Sequence, residues 1–87
     1  MRVIVCNMQM FSNDQMIQVI DTESDYVFYQ KVDIEELPST ICALAKQHGI
    51  ENVQLSGGRY AELWAEEILE TNEMNYGSNN ILNVEVM

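Results

Sequence analysis

Basic residues are scarce in this chain. Only four lysines and arginines stand against fourteen aspartates and glutamates, so the formal net charge at pH 7 is -10. Nucleic acids and anionic membranes attract positively charged protein surfaces and repel negatively charged ones. We therefore predict no direct binding to nucleic acid and no binding to a membrane. A basic protein partner, or none, fits this composition better. Self-association is the other interaction that we expect, because a protein this small gains stability by dimerising.

The chain also lacks a long apolar run and a pattern of paired cysteines. No stretch approaches the roughly 20 apolar residues of a membrane-spanning helix, and the first residues enter a strand pattern without a signal-peptide cleavage site. We therefore expect a cytoplasmic protein. Cys6 and Cys42 lie in apolar surroundings on different predicted elements, which favours two buried thiols, although the sequence leaves a disulfide between them open. We predict no cofactor and no bound metal.

Length and composition indicate one domain that covers residues 1–87. The hydrophobic share of 47% is ordinary for a globular domain and too high for a disordered chain. Neither an internal repeat nor a low-complexity linker divides the sequence. The few arginines and the many asparagines and methionines are typical of an AT-rich bacterial or phage genome.

The first third of the chain predicts three strands. Residues 2–10 (RVIVCNMQM) open with a continuous apolar run, which is typical of a central strand buried on both faces. Turn-forming residues 11–14 follow, and residues 15–20 alternate as a second strand, so the pair predicts a hairpin. After a polar turn at 21–25, the β-branched and aromatic residues 26–32 predict a third strand, antiparallel to the second.

The period of the pattern changes after Asp33, where a first helix is predicted. Asp33 and Glu36 can form a capping box, whereas Pro38 is suited to the first turn, so the start is defined only to within several residues. Gly49 is placed to end the helix. The face of the helix that we expect to be buried consists of Leu37, Ile41, Leu44, Ala45 and His48.

Residues 50–71 (IENVQLSGGRYAELWAEEILET) predict a strand, a tight glycine turn and an amphipathic helix. The strand contains Ile50, Val53 and Leu55 and stops at Ser56, before the two glycines. Residues 72–80 are polar and predict a loop, and residues 81–86 predict a fifth strand. The residues that recur at helical spacing, and that we expect to be buried, are Tyr60, Leu63, Trp64, Ile68 and Thr71.

The resulting order, β-β-β-α-β-α-β, predicts an α/β (α+β) fold with a mixed sheet and two helices. Right-handed crossovers would place the fourth and fifth strands parallel to the first. In this element order the chain resembles the ribonuclease H-like fold, the group of the RuvC-type resolvases, their YqgF relatives and the actin-like ATPases. A ferredoxin-like α+β sandwich is the rival topology if one of the first three strands is wrongly assigned.

The resemblance implies two acidic residues that hold divalent metal ions, one in the first strand and one near the end of the fourth. This chain has Asn7 in VIVCNMQ and Ser56 in VQLSGG at those places. An amide and a hydroxyl do not supply the negative charge that concentrates Mg²⁺. The acids Asp14, Asp33 and Glu85 belong to other elements. A minimal metal-dependent nuclease is therefore an alternative function rather than the favoured one.

The second helix carries the most distinctive surface pattern of the sequence. We predict that its charged ridge, together with Tyr76 in the loop that follows, binds a basic protein partner. A DNA-mimic inhibitor of a nucleic-acid-binding protein would show the same ridge, and so would an acidic face that only keeps a small domain in solution. The ridge consists of Glu62, Glu66, Glu70 and Glu73, spaced four, four and three residues apart, with Glu67 beside them.

The glycine turn has a second interpretation as a phosphate site. Backbone amides at a helix start can bind phosphate, and Arg59 would add positive charge. The sequence lacks the GxGxxG and GxxxxGK[ST] spacings, and a tight strand-to-helix turn needs glycine for its geometry alone. Gly57, Gly58 and Arg59 are therefore the candidate residues of a second alternative, a phosphate-binding enzyme.

The remaining candidates lead to a function without catalysis. His48 is the sole histidine, and its place in the last turn of a helix is explained by the helix dipole. It lies six residues from Cys42, which is not a facing position on a helix. An unpaired edge strand at residues 27–32 could add a strand from another chain. We therefore favour a non-catalytic protein-binding domain that acts through its acidic helix or its sheet edge.

Overall fold

The computed structural model describes residues 1–25, 27–77 and 79–87 of the chain. Tyr26 of the predicted third strand and Ser78 of the predicted loop lie outside these residues. A short 3-10 turn, Ile34–Glu36, precedes the first helix. The other elements, in chain order, are β1 (Arg2–Asn7), β2 (Asp14–Asp21), β3 (Val27–Asp33), α1 (Leu37–His48), β4 (Asn52–Ser56), α2 (Gly58–Tyr76) and β5 (Asn83–Val86).

The five strands form one mixed sheet in the order β3-β2-β1-β4-β5. The β1–β2 and β2–β3 pairs are antiparallel, and the β1–β4 and β4–β5 pairs are parallel. This arrangement confirms the predicted α+β architecture of a mixed sheet with two helices. The three initial strands are all present, so the misassignment that the rival ferredoxin-like topology required is not observed. Within the described residues, β3 and β5 are the sheet edges.

The core lies between the sheet and the two helices, which pack on the same face. Side chains of β1 alternate, with Ile4 and Cys6 fully buried under the helices and Val3 and Val5 only half-buried on the other face. The prediction that the first strand is buried on both faces is therefore wrong. A continuous apolar run identified β1 as the central strand, but the described residues place no element over Val3 and Val5.

At the start of α1, Asp33 acts as a cap and Pro38 lies in the first turn as predicted, but the Glu36 side chain makes no capping hydrogen bond, so the capping box is not formed. The Asp33 carboxylate accepts a hydrogen bond of 3.0 Å from the Glu35 main-chain N–H and so caps the 3-10 turn, and Pro38 lies in the first turn of the helix. Gly49 ends the helix with a left-handed φ of 65°, as predicted. Of the predicted buried face, Leu37, Ile41, Leu44 and Ala45 are buried and His48 is half-buried.

The buried face of α2 differs from the prediction. It consists of Ala61, Ala65, Ile68 and Asn72. Leu63 is 63% exposed, so its assignment to the buried face is wrong. Tyr60 and Trp64 are half-buried and meet edge to face, with their ring centroids 6.4 Å apart. Small alanines let the helix approach the sheet closely, which displaces the larger side chains to the flanks.

The helix α2 also continues to Tyr76, so the predicted loop at 72–80 is wrong for its first half. The reason is a reciprocal hydrogen bond between two asparagines. The buried Asn72 amide donates to the Asn80 carbonyl oxygen, and the Asn80 amide donates to the Asn72 side-chain oxygen, both at 2.9 Å. This pair anchors the connection to β5, and its tertiary contacts override the low helix propensity of asparagine.

Candidate functional site

The acidic ridge of α2 lies fully on the solvent side of the molecule. Its five members, Glu62, Glu66, Glu67, Glu70 and Glu73, are all exposed. Residues 62 to 73 extend over about 16 Å at about 1.5 Å per residue. The ion pairs found among the described residues involve other acids, so the ridge carries uncompensated negative charge.

Exposed apolar side chains flank the ridge, and the sequence analysis did not identify them as surface residues. Leu63, Leu69 and Met74 are 63%, 42% and 84% exposed. Leu63 shares a shallow depression of about 230 Å³ with Arg59, Glu62 and Glu66. The sequence spacing indicates this exposure of Leu63. At about 100° per residue, Leu63 lies about 140° around the helix from the buried Ile68. The surface of α2 is therefore both acidic and apolar.

Tyr76 occupies a different place from the one predicted. It lies in the last turn of α2, half-buried, rather than in an exposed loop. The Lys46 ammonium of α1 stands 4.3 Å from the centre of its ring. This cation–π contact joins the ends of the two helices. Tyr76 therefore has a structural partner within the chain.

The glycine turn is explained by the close approach of the segments that follow β1 and β4. Gly57 has a φ of 135°, and a Cβ atom at this position would lie 3.0 Å from the Met8 Cβ and 3.2 Å from the Met8 carbonyl oxygen. The Met8 N–H donates a hydrogen bond of 2.8 Å to the Ser56 carbonyl oxygen, which holds the two segments together. Gly58 has a φ of 61° and open space around it. Arg59 is exposed.

The ends of β1 and β4 bring together the two residues that stand where the resemblance implies metal-binding acids. The Ser56 hydroxyl donates a hydrogen bond to the Asn7 side-chain oxygen. Each of these two side chains is therefore the hydrogen-bond partner of the other. Within the residues that the structure describes, no three histidine, cysteine, aspartate or glutamate side chains converge as metal ligands.

The other acids are only partly brought together. Asp14 and Asp33 are cross-strand partners at the end of the β2–β3 pair, whereas Glu85 lies on β5 at the far side of the sheet. The Lys31 ammonium lies 3.3 Å from the Asp14 carboxylate, and Asp33 caps the 3-10 turn. Both aspartates therefore have partners that explain their positions.

His48 and Cys42 do not interact with each other. The Arg2 guanidinium donates to His48 Nδ1 at 3.2 Å, and the Cys42 thiol donates to the Ile68 carbonyl oxygen of α2 at 3.4 Å. Cys6 and Cys42 are free and fully buried. Burial raises the pKa of each thiol to about 11, so neither is a reactive thiolate at neutral pH.

Two further features were not found from the sequence. A half-open groove of about 630 Å³ lies beside α1, with Phe28 and Leu44 among its apolar residues and Arg2 and His48 among its polar ones. Phe11 is 99% exposed in the β1–β2 loop. The buried Gln15 amide braces this loop through hydrogen bonds of 2.8 to 3.0 Å to the main chain of residues 9 and 12.

Comparison of the chain with protein-family models, with curated proteins and with solved structures finds no significant match. None of the described helices is both long and apolar enough to span a bilayer. The candidate surfaces therefore have to be judged on their own geometry and chemistry.

Proposed function

We propose that this chain is a non-catalytic, cytoplasmic domain of ribonuclease H-like topology that binds a basic protein partner through the exposed face of α2. The observation that carries the proposal is the combination, on one helix, of five exposed glutamates with the exposed side chains of Leu63 and Met74. An exposed apolar side chain next to unpaired charge is typical of a binding surface, whose apolar part supplies affinity and whose charged part selects the partner.

The sheet supports the topological part of the proposal. The antiparallel β1–β2–β3 meander and the parallel β1–β4–β5 pairing have the strand directions that were predicted from the element order. The absence of catalysis is supported by Asn7 and Ser56, which hydrogen-bond to each other at the strand ends where the resemblance implies acids. The exposed edge strand β3 is a second surface to which a partner strand could be added.

The charge density of the α2 ridge favours binding of a basic helix over imitation of DNA toward a nucleic-acid-binding protein. A DNA duplex presents about one negative charge per 1.7 Å, or roughly ten over the 16 Å length of the ridge. The α2 ridge presents five carboxylates. It therefore carries about half the charge of the duplex that it would have to imitate. A single amphipathic basic helix, with cations facing the glutamates and apolar residues facing Leu63 and Met74, is the better complement.

The test is a titration with a synthetic helical peptide of about 18 residues, which is long enough to cover the ridge. The peptide carries lysines along one side and leucines beside them. Binding is measured by calorimetry for the wild type and for the triple variant E62Q/E66Q/E70Q. Three exposed ion pairs contribute about 1–2 kcal/mol together, so we expect the dissociation constant of the triple variant to rise roughly five- to thirty-fold.

The matched control is the triple variant E35Q/E36Q/E51Q. All three of these glutamates are exposed and none lies on α2, so both triple variants change the net charge from -10 to -7. The control variant should bind the peptide within about threefold of the wild type. Equal weakening by the two variants would show that only the total charge matters and would overturn the proposal. Absence of binding to the wild type would overturn it as well.

A further inference from the structure

The sheet has one face that no described helix covers. Both helices pack on the opposite face, so alternate residues of all five strands point away from them. The strand register arranges these residues in rows across the sheet. One row runs Val27, Ile20, Val3, Asn52, Asn83, and the next runs Tyr29, Gln18, Val5, Gln54, Glu85. We call this surface the open face.

One half of the open face is mostly apolar. It is formed by neighbouring side chains of β1, β2 and β3, of which Met16, Val27 and Tyr29 are 44%, 42% and 60% exposed. Val3, Val5 and Ile20 fill the space between them and are half-buried. Val27, Ile20 and Val3 are direct cross-strand neighbours about 5 Å apart, whereas the neutral Gln18 stands between Tyr29 and Val5. The six apolar side chains therefore surround one amide side chain on a single surface.

The interior of this surface carries no charged side chain, although the whole chain carries a net charge of -10. The charged residues on the open face lie at its margins: Asp14, Lys31, Asp33 and Glu85. Asp14 and Lys31 are paired at 3.3 Å. The remaining positions on β1, β2 and β4 are apolar or are neutral groups that both donate and accept hydrogen bonds. A strongly basic partner would therefore be attracted to α2 and not to this face.

We propose that the open face is the interface of a homodimer, in which two sheets pack face to face in the layer order helix–sheet–sheet–helix. A second copy is the occupant that the chemistry favours, because two open faces can meet without the repulsion that would oppose contact between two acidic α2 faces. The same neutral apolar and amide groups on both copies are self-complementary, as a two-fold interface requires. The acidic ridges of α2 then point outward on both sides and remain free.

The size of the face predicts a reversible dimer. Five strands about 4.8 Å apart and three rows about 7 Å apart, the third containing Lys31 and Met16, cover roughly 500 Å² per copy. The total of about 1,000 Å² is at the low end of specific interfaces, where association is weak and depends on concentration. Because the residual repulsion is screened by salt while apolar contact is retained, dimerisation should strengthen as salt rises from about 0.05 to about 0.5 M.

Analytical ultracentrifugation of the full chain across protein and salt concentration tests the proposal. The variants Y29E and L63E add the same charge at positions of equal exposure, 60% and 63%, on the open face and on α2. We expect Y29E to raise the dissociation constant at least about tenfold and L63E to change it less than about threefold. M16E, with L69E as its control, repeats the comparison at 44% and 42% exposure, and circular dichroism verifies folding.

A wild type that remains monomeric at about 0.5 mM in high salt would overturn the homodimer, since an interface of this size would be detected there. A dimer that L63E disrupts and Y29E does not would overturn it equally. This result is independent of the proposed function of α2, because binding of the basic peptide weakens with salt whereas the dimer strengthens. Each proposal can therefore fail without the other.

Discussion

Replacing Gly57 by alanine tests whether the glycine turn is a packing device or a ligand site. At a φ of 135° an alanine is strained, which costs about 1–3 kcal/mol. The added Cβ would also lie 3.0 Å from the Met8 Cβ and 3.2 Å from the Met8 carbonyl oxygen. Forcing a carbon into such a space costs about 1–3 kcal/mol more. The free energy of unfolding of G57A should therefore fall by about 2–6 kcal/mol, a large part of the 5–15 kcal/mol typical of a domain.

Gly58 is the matched control, because it is the next residue and a Cβ there would meet nothing within 4 Å. Its φ of 61° lies in the left-handed region, so G58A should cost only about 1–2 kcal/mol. Urea unfolding followed by the fluorescence of Trp64, the sole tryptophan, measures both variants. If G57A were no less stable than G58A, the close approach of Met8 would not be the reason for the glycine, and a role in phosphate binding would regain support.

Three further predictions concern buried or paired groups. N72A should lower the free energy of unfolding by about 1–3 kcal/mol, because it breaks the buried asparagine pair, as urea unfolding will measure. The hydrogen bond from the Glu23 main-chain N–H lowers the pKa of Asp21 below its ordinary value. The ionised Asp21 carboxylate therefore stabilises the fold at pH values above its unfolded-state pKa, and this stabilisation is lost as the pH falls through the folded-state pKa. D21N should accordingly reduce the fall in the free energy of unfolding at acidic pH. Cys6 and Cys42 should resist a thiol reagent at pH 8 in the native state, and both should react in urea.

Each of these predictions has a defined contrary result. N75A changes an exposed asparagine of the same helix and should leave stability within about 0.5 kcal/mol, so equal effects of N72A and N75A would refute the role of the pair. An unchanged fall in the free energy of unfolding of D21N at acidic pH would refute the assignment of acid sensitivity to Asp21. Rapid labelling of either thiol in the native protein would contradict its burial.

The strands were predictable from the sequence because their signals are local. The alternation of residues 15–20 and the β-branched and aromatic residues within 26–32 predict β2 and β3 to within a few residues. Apolar residues also placed β1 at the centre of the sheet. Which face of the sheet the helices cover is a tertiary property that a local pattern does not contain. The apolar run at residues 3–5 therefore predicts burial on both faces, whereas Val3 and Val5 are half-buried on the open face.

The candidate site was predicted in part. The spacing of Glu62, Glu66 and Glu70 identified the exposed face of α2 because charged residues rarely lie in a core. The prediction of the buried face of α2 was wrong because large apolar residues give a stronger hydrophobic signal than Ala61 and Ala65, whose small size allows close packing. The Asn72–Asn80 pair, which extends α2 to Tyr76, connects residues eight apart across a chain reversal. A pattern confined to one helix carries no information about such a pairing.

Nuclear magnetic resonance mapping of the basic peptide on the isotope-labelled chain tests whether the exposed face of α2 is the binding surface. We expect peptide addition to change the backbone amide chemical shifts along the exposed face of α2, around Glu62, Leu63, Glu66 and Glu70, with a single dissociation constant. These shifts should return to their peptide-free values as the salt concentration is raised. Shifts that are instead concentrated on the open face of the sheet or at the glycine turn, or spread evenly over every acidic surface, would contradict this expectation.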